Sequence, residues 1–250
     1  MILNYFKGAA FAFQGLSLIT RPGIRRFLAA PLAINISLFS LAVYLLITMF
    51  SQWMNSLMPE FPDWLSWLED GIRWILWPLF SIMIFFIVFY SFTFMANLIA
   101  APFNSLLAQK VEAMLAHKTD DNTPVLPPWK TIQKSISSEI GKLFYLLKWS
   151  IMIVIISFIP VVNMGAPFIW IFFGAWMLAL EYLDYPMGNH GHYFREINQL
   201  ARSKKTLSLG FGSGSLILTS IPVINFIAMP ASVAGATALW VEEVKKQHER

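Results

Sequence analysis

Two long stretches without charged side chains limit the fold more than any other feature of this chain. They cover residues 27–50 and 74–103, and contain 24 and 30 residues. A helix needs about 20 predominantly apolar residues to cross the hydrocarbon core of a bilayer. Only 13% of the 250 residues are charged, whereas roughly 25% are charged in a soluble domain. The pattern predicts an all-α integral membrane protein with two long transmembrane helices, at 22–54 and 72–117.

The positions of the basic residues predict how these helices are oriented. Of 18 Lys and Arg residues, only Arg73 lies between Phe27 and Gln109. Because basic residues accumulate in cytoplasmic loops, the connection at 59–74 is predicted on the far side of the membrane. The turn-rich loop at 118–129 and both chain termini are predicted on the cytoplasmic side. The two long helices would then form one out-and-back pair through the lipid bilayer.

A short motif occurs twice in the apolar regions that follow. The first copy is Ile159-Pro160-Val161-Val162-Asn163 and the second is Ile221-Pro222-Val223-Ile224-Asn225. Downstream, Gly174, Ala175, Leu178 and Glu181 are matched with Gly235, Ala236, Leu239 and Glu242, with a small change of length. The chain therefore contains an internal repeat.

Basic residues flank both copies, so each copy is predicted to enter and leave the membrane by the same face. An arm of about 15 residues spans about 22 Å as a helix, which is less than the core thickness of about 30 Å. We therefore expect two broken, partly penetrating helical hairpins, at 129–183 and 207–243. The alternative is a pair of full crossings that are only kinked at their prolines.

The expected turn of each hairpin assigns a role to its proline and asparagine. Pro160 would end the inbound arm, and Asn163 and Asn225 would cap the outbound arms. Non-helical backbone at membrane depth is tolerated where protein covers it or water reaches it, so paired broken segments indicate a transport path. Asn163, Asn225, Glu181 and Glu242 are thus candidate pore or turn residues.

The N-terminal residues 1–19 show the spacing of an amphipathic helix. Leu3, Phe6, Ala10, Phe13 and Leu16 recur at steps of three and four residues, as on one face of a helix. This spacing predicts an interfacial helix on the cytoplasmic surface. A first helix that simply packs within the membrane is the alternative.

The stretch GLSLITRPGIRRF at 15–27 contains the candidate binding residues. We expect Thr20 to cap a helix whose first turn is Arg21–Ile24, leaving the N–H groups of Gly23, Ile24 and Arg25 free. The side chains of Arg21, Arg25 and Arg26 would stand beside them. Free N–H groups, a helix dipole and guanidinium groups together suit a tetrahedral oxyanion. The alternative is that these arginines only anchor the cytoplasmic end of a crossing helix.

Other polar motifs predict no catalytic, metal, cofactor or nucleic-acid site. The chain has no cysteine, which excludes disulfides and thiolate ligands. His190 and His192 lack carboxylate or cysteine partners at metal spacing, so a solvated turn is expected there. GFGSGS at 210–215 lacks the strand and lysine of a phosphate loop, and small residues for close helix packing explain it better. We therefore expect that the chain is not an enzyme.

Four segments resemble the CysZ sulfate permeases of bacterial inner membranes. They are QGLSLITRPGIRRFLAAPL near the start, ANLIAAPFNSLLAQ at 96–109, GAWMLALEYLDYPMGNH at 174–190 and IPVINFIAMPASVAGATALWVEE at 221–243. The resemblance implies sulfate uptake across the bacterial inner membrane for cysteine biosynthesis, by a homo-oligomer with long crossing helices and partly penetrating hairpins. It places sulfate on the stretch 15–26, with Arg25 and Arg26 as its main ligands.

Several functional alternatives stay open at this stage. A channel-like permease and a proton-coupled carrier, which would use Glu181 and Glu242, share these features. A structural or assembly protein of the membrane without ion flux is the alternative from another class. A membrane enzyme that uses DYPMGNHGH at 184–192, and with it His190, is the third.

Overall fold

The computed structural model describes residues 2–57, 66–116 and 128–245. Helices and short turns make up these ranges, and no strand occurs within them, which confirms the all-α prediction. Residues 59–65 of the predicted outer connection at 59–74 and residues 118–127 of the predicted loop at 118–129 lie outside the described residues, whereas residues 66–74 are helical. The described part of 29–102 forms one compact unit, and residues 2–28 form a second unit with the described residues from 103 onward.

The described ranges contain eight α-helices. They are α1 Ile2–Ile19, α2 Arg25–Leu57, α3 Ser66–Ala116, α4 Pro128–Ser157, α5 Ala166–Asn189, α6 Phe194–Ser203, α7 Lys205–Ser220 and α8 Pro222–Trp240. A short 3-10 turn, Val162–Gly165, precedes α5, and a π-helical turn, Val241–Lys245, follows α8.

The two long predicted helices exist, with boundaries that differ from 22–54 and 72–117 by a few residues. They are α2, with 33 residues, and α3, with 51 residues. Both exceed the about 20 residues that a helix needs to cross a hydrocarbon core. α2 begins three residues later than expected because Gly23 has a φ of +86°, which a right-handed helix does not allow.

Three described helical stretches are long and apolar enough to cross a membrane. They are Ser138–Ser157, Val162–Asn189 and Pro222–Val244, and all three overlap the predicted hairpin regions 129–183 and 207–243. α4 and α5 have 30 and 24 residues, more than the 15 expected for one arm, because both helices continue past their charged residues. The uncharged part of α5 before Glu181 is 15 residues long, and α7 has only 16 residues.

Close backbone contacts at glycines hold the core of the larger unit together. An added Cβ at Gly8 would overlap the carbonyl oxygen of Leu207 on α7, and one at Gly15 would overlap that of Ala231 on α8. Gly212 of α7 meets the carbonyl oxygen of Ala175 on α5 in the same way. The glycines of the GFGSGS stretch thus serve close helix packing, as predicted.

α1 has two different faces. The small and apolar residues Gly8, Phe11, Ala12 and Gly15 are buried against α7 and α8. The opposite face exposes the predicted large apolar stripe, including Leu3, which is 80% exposed, and Phe6, which is 64% exposed. The first helix is therefore packed against other helices, while its exposed apolar face is available to lipid; its interfacial position stays a prediction.

We expect Gly15→Ala to lower the thermal stability of the purified protein. The added methyl group would collide with the backbone of Ala231, and overpacking of this kind costs about 1–3 kcal/mol. Gly174→Ala is the matched control, because it also lies inside a helix but has no atom within 4 Å of an added Cβ. Thermal unfolding in detergent should show a loss for Gly15→Ala and no loss, or a small gain, for Gly174→Ala. Equal stability of the two variants would contradict the packing account.

Candidate functional site

The predicted oxyanion stretch forms the turn that links α1 to α2. The expected helix cap at Thr20 does not form. The Thr20 hydroxyl instead donates to the Ser17 carbonyl oxygen at 2.9 Å, in the last turn of α1. The N–H groups of Ile24 and Arg25 are not free either, because both donate to the carbonyl oxygen of Arg21, at 3.1 and 3.3 Å. A tight turn around Gly23 therefore replaces the predicted first helical turn.

What remains of the predicted site is a set of side chains and two N–H groups. Within the part of the chain that the structure describes, the N–H groups of Gly23 and Arg26 have no backbone acceptor. Ile24 is 2% exposed and anchors the turn in the core. The anchor leaves Arg21, Arg25 and Arg26 exposed around it.

The three arginines lie within six residues at the beginning of α2. The Arg21 guanidinium lies 3.8 Å from the Met114 sulfur in the last turn of α3, and the Arg26 guanidinium lies 5.0 Å from the centre of the Phe27 ring. No carboxylate is paired with these arginines among the described residues. Their charges and the positive end of the α2 dipole can therefore act together on an anion.

The two repeated asparagines are not helix caps. Gly165 precedes α5 and Ile221 precedes α8, and neither helix receives a side-chain cap. The chain turns through the backbone instead, since the N–H groups of Asn163 and Asn225 donate to Ile159 and Ile221 at 3.1 and 2.8 Å. The repeat thus has a structural basis in one bond that both copies form, and both asparagine side chains are exposed.

A second polar cluster, which the sequence reasoning missed, lies at the base of the first hairpin. Lys142 is 8% exposed and donates to three carboxylates, those of Glu139 at 3.1 Å, Glu181 at 3.0 Å and Asp184 at 2.6 Å. Glu181, a candidate pore residue, is thus part of an ion cluster that joins α4 to α5. Glu181 and Asp184 are 39 and 42 residues away from Lys142, so no local pattern reveals these two partners.

The stretch 184–194 is more ordered than the solvated turn that was predicted. α5 continues through it to Asn189, and the His190 Nε2 lies 2.8 Å from both carboxylate oxygens of Glu112 on α3. His190 also stacks near Trp240 at a ring distance of 5.9 Å. The histidine therefore joins α3, α5 and α8. The described residues contain no group of three or more potential metal ligands around it.

The base of the second hairpin is held by Glu243. Its carboxylate pairs with Lys7 of α1 and, at 3.6 Å, with Lys204, which precedes α7. Glu242, the residue matched to Glu181 from the sequence, is half-buried beside it. Because Glu243 rather than Glu242 pairs with the lysine, Glu243 has the structural role in the second copy that Glu181 has in the first.

Comparisons with known proteins follow the same segments. A family model described as "Sulfate transporter CysZ/Etoposide-induced protein 2.4" matches residues 11–230. A protein named Sulfate transporter CysZ from Pseudomonas fluorescens (strain Pf0-1) is 43% identical over 241 residues, covering 95% of this chain and 94% of its own. One from Salmonella typhimurium (strain LT2) is 40% identical over 243 residues, with 97% and 94% covered. One from Pseudomonas aeruginosa (strain LESB58) is 40% identical over 243 residues, with 95% of each chain covered.

We expect Gly23→Ala to destabilise the turn, and Gly23→Asn to do so less. Gly23 has a left-handed φ and no atom within 4 Å of an added Cβ, so the cost comes from backbone conformation alone, at about 1–2 kcal/mol for alanine. Asparagine tolerates this region better. Gly165→Ala, which also meets no atom but has no positive φ, is the control. A midpoint of thermal unfolding for Gly23→Ala that equals or exceeds the midpoint for Gly165→Ala would contradict this account.

Proposed function

We propose that this chain, which belongs to the sulfate transporter CysZ/etoposide-induced protein 2.4 family, carries sulfate across the bacterial inner membrane for cysteine biosynthesis. The observation that carries the proposal is the identity of 40% or more, over nearly the full chain, to proteins named sulfate transporter. The family is one of transporters, which agrees with the expectation that the chain is not an enzyme.

We infer that the α1–α2 turn binds the sulfate. Sulfate is a tetrahedral dianion, which accepts hydrogen bonds from guanidinium forks and from backbone N–H groups at a helix N-terminus. The exposed arginines and the open N–H groups of Gly23 and Arg26 supply both kinds of donor. Arg25 and Arg26 are its main side-chain ligands in this proposal, with Arg21, Gly23, Ile24 and Thr20 around them.

The route across the membrane follows the two broken hairpins in this proposal. Each turn exposes one asparagine at its break, Asn163 in the first hairpin and Asn225 in the second. The helix α7 has only 16 residues and is about 24 Å long. In this proposal the α7 arm penetrates the membrane only partly, which would leave water on one side of the second turn, as a channel-like path requires. The proposal includes a homo-oligomer, because the described residues of one chain offer two such hairpins to line a path. It also places both termini on the cytoplasmic face, where basic residues accumulate.

Purified protein in liposomes should take up radiolabelled sulfate without any other protein. A channel-like path predicts the same uptake with and without an imposed proton gradient, because sulfate would move down its own gradient. Uptake that requires the proton gradient would instead support a coupled carrier. No uptake in either condition, from protein that elutes as a folded species, would favour the structural or assembly role.

The double variant Arg25→Ala with Arg26→Ala should weaken sulfate binding. Hydrogen bonds to charged groups contribute about 1.5–3 kcal/mol each, so the affinity should fall at least about tenfold. The matched control is Arg195→Ala with Lys205→Ala, which removes the same charge from two exposed positions outside the turn. Isothermal titration of sulfate into the detergent-solubilised proteins measures the affinity of both double variants. An equal loss of affinity in the two would show that the effect is one of net charge and not of a specific site.

A further inference from the structure

The two hairpins have ion pairs at equivalent positions of the internal repeat. Lys142 pairs with Glu181 and Lys204 pairs with Glu243. The partners are 39 residues apart in both copies. In each copy the lysine lies 18 residues before the motif proline, Pro160 or Pro222. The repeat thus contains a lysine–glutamate pair that joins the inbound arm to the outbound arm at the base.

The arms of the two hairpins are held very differently above this base. α7 approaches the backbone of α1 and α5 through Gly210, Gly212 and Gly214. The equivalent positions of α4, 62 residues earlier, are Lys148, Ser150 and Met152. The side chains of Lys148 and Met152 do not allow the same backbone approach. The inbound arm of the second hairpin is therefore locked in the core, and that of the first is not.

The described side chains of α4 confirm this difference. From residue 138 to the end of the helix, only Ser138, Lys142 and Ile153 are buried. Large apolar side chains such as Phe144, at 69%, and Ile155, at 61%, are exposed.

The polar contacts of α4 with the rest of its unit are near its base. The Trp176 indole N–H donates to the Tyr145 hydroxyl at 3.1 Å, and the Ser138 hydroxyl accepts from the Phe194 N–H at 2.8 Å. Together with the ion pairs of Lys142 to Glu181 and Asp184 on α5, these contacts hold the helix at one end.

We propose that Lys142 is the positioning residue that sets where α4 stands against α5. Its ion pairs fix one end of an arm that has little other contact, whereas the equivalent Lys204 only reinforces an arm already held by glycine packing. The first hairpin is thus the adjustable copy and the second the rigid one. The consequence for ion flux rests on the proposed function; the geometry does not.

Spin labels can measure this position directly, because the chain has no cysteine. Labels at Ile151→Cys on α4 and Phe172→Cys on α5, both exposed positions, report the distance between the arms by pulsed electron paramagnetic resonance in lipid nanodiscs. We expect Lys142→Met to lengthen the mean distance between the labels, or to widen the distance distribution, by about 5 Å, roughly one helical turn. Lys148→Met, on the same helix and exposed, should leave the distance unchanged.

The second hairpin provides the test of asymmetry. Labels at Ile217→Cys on α7 and Phe226→Cys on α8, also exposed, should keep their distance when Lys204→Met is introduced. Labels at Phe13→Cys and Ile217→Cys, on α1 and α7, control for folding in every variant. An unchanged α4–α5 distance in folded Lys142→Met overturns the proposal, and an equal displacement of the second hairpin by Lys204→Met overturns the asymmetry.

A functional measurement separates positioning from sulfate binding. We expect Lys142→Met to lower sulfate flux on the order of tenfold, as remote coupling residues can do, with unchanged affinity in titration. Lys142→Arg keeps the charge and should restore the flux. Loss of affinity together with flux would assign Lys142 to the binding site instead. Absence of flux in the unmodified protein would refute the proposed function and leave the distance result standing.

Discussion

Close backbone contact between α1, α5, α7 and α8 is the constraint on which the larger unit depends. Lipid tails are as apolar as helix surfaces, so burial of apolar area does not drive helices together within a membrane. Backbones must instead approach closely enough for dispersion contacts and packing to hold them. Gly8, Gly15 and Gly212 permit that approach, because any side chain there would overlap a carbonyl oxygen of the neighbouring helix.

This packing also determines where the α1–α2 turn, with its three arginines, lies. α1 contacts α7 and α8 along one face, and its last residues, Leu18 and Ile19, are each 1% exposed. Ile24 is buried immediately after the turn. The arginines are therefore presented by a short segment held at both ends, which reduces the conformational entropy that an anion would otherwise have to remove on binding.

The sequence predicts those features that depend on neighbouring residues. The all-helical class, the interruptions at Pro160 and Pro222 and the packing role of GFGSGS follow from composition, proline chemistry and residue size. The details of capping at Thr20, Asn163 and Asn225 were wrong because several local hydrogen bonds were available, and tertiary packing selected among them.

Contacts between distant segments could not be predicted in this way. Glu112 and His190 are 78 residues apart, and neither has a local pattern that identifies the other. The ion pair of the second copy is formed by Glu243, which follows the matched residue Glu242. The sequence does not reveal this, because the two acids are adjacent and only the ion pair with Lys204 distinguishes them.

The Lys142 ion cluster and the α1–α2 turn differ in what they can do with a dianion. Lys142 has three carboxylates within 3.1 Å, so its cluster has a formal charge of −2 and repels sulfate. The α1–α2 turn has three exposed arginines without an acidic partner among the described residues. In the proposed function, an ion there would keep part of its hydration shell, which would limit the cost of desolvation. An ion held in this way would be released easily, as conduction requires. The α1–α2 turn would then attract the ion, and Lys142 would position the hairpin.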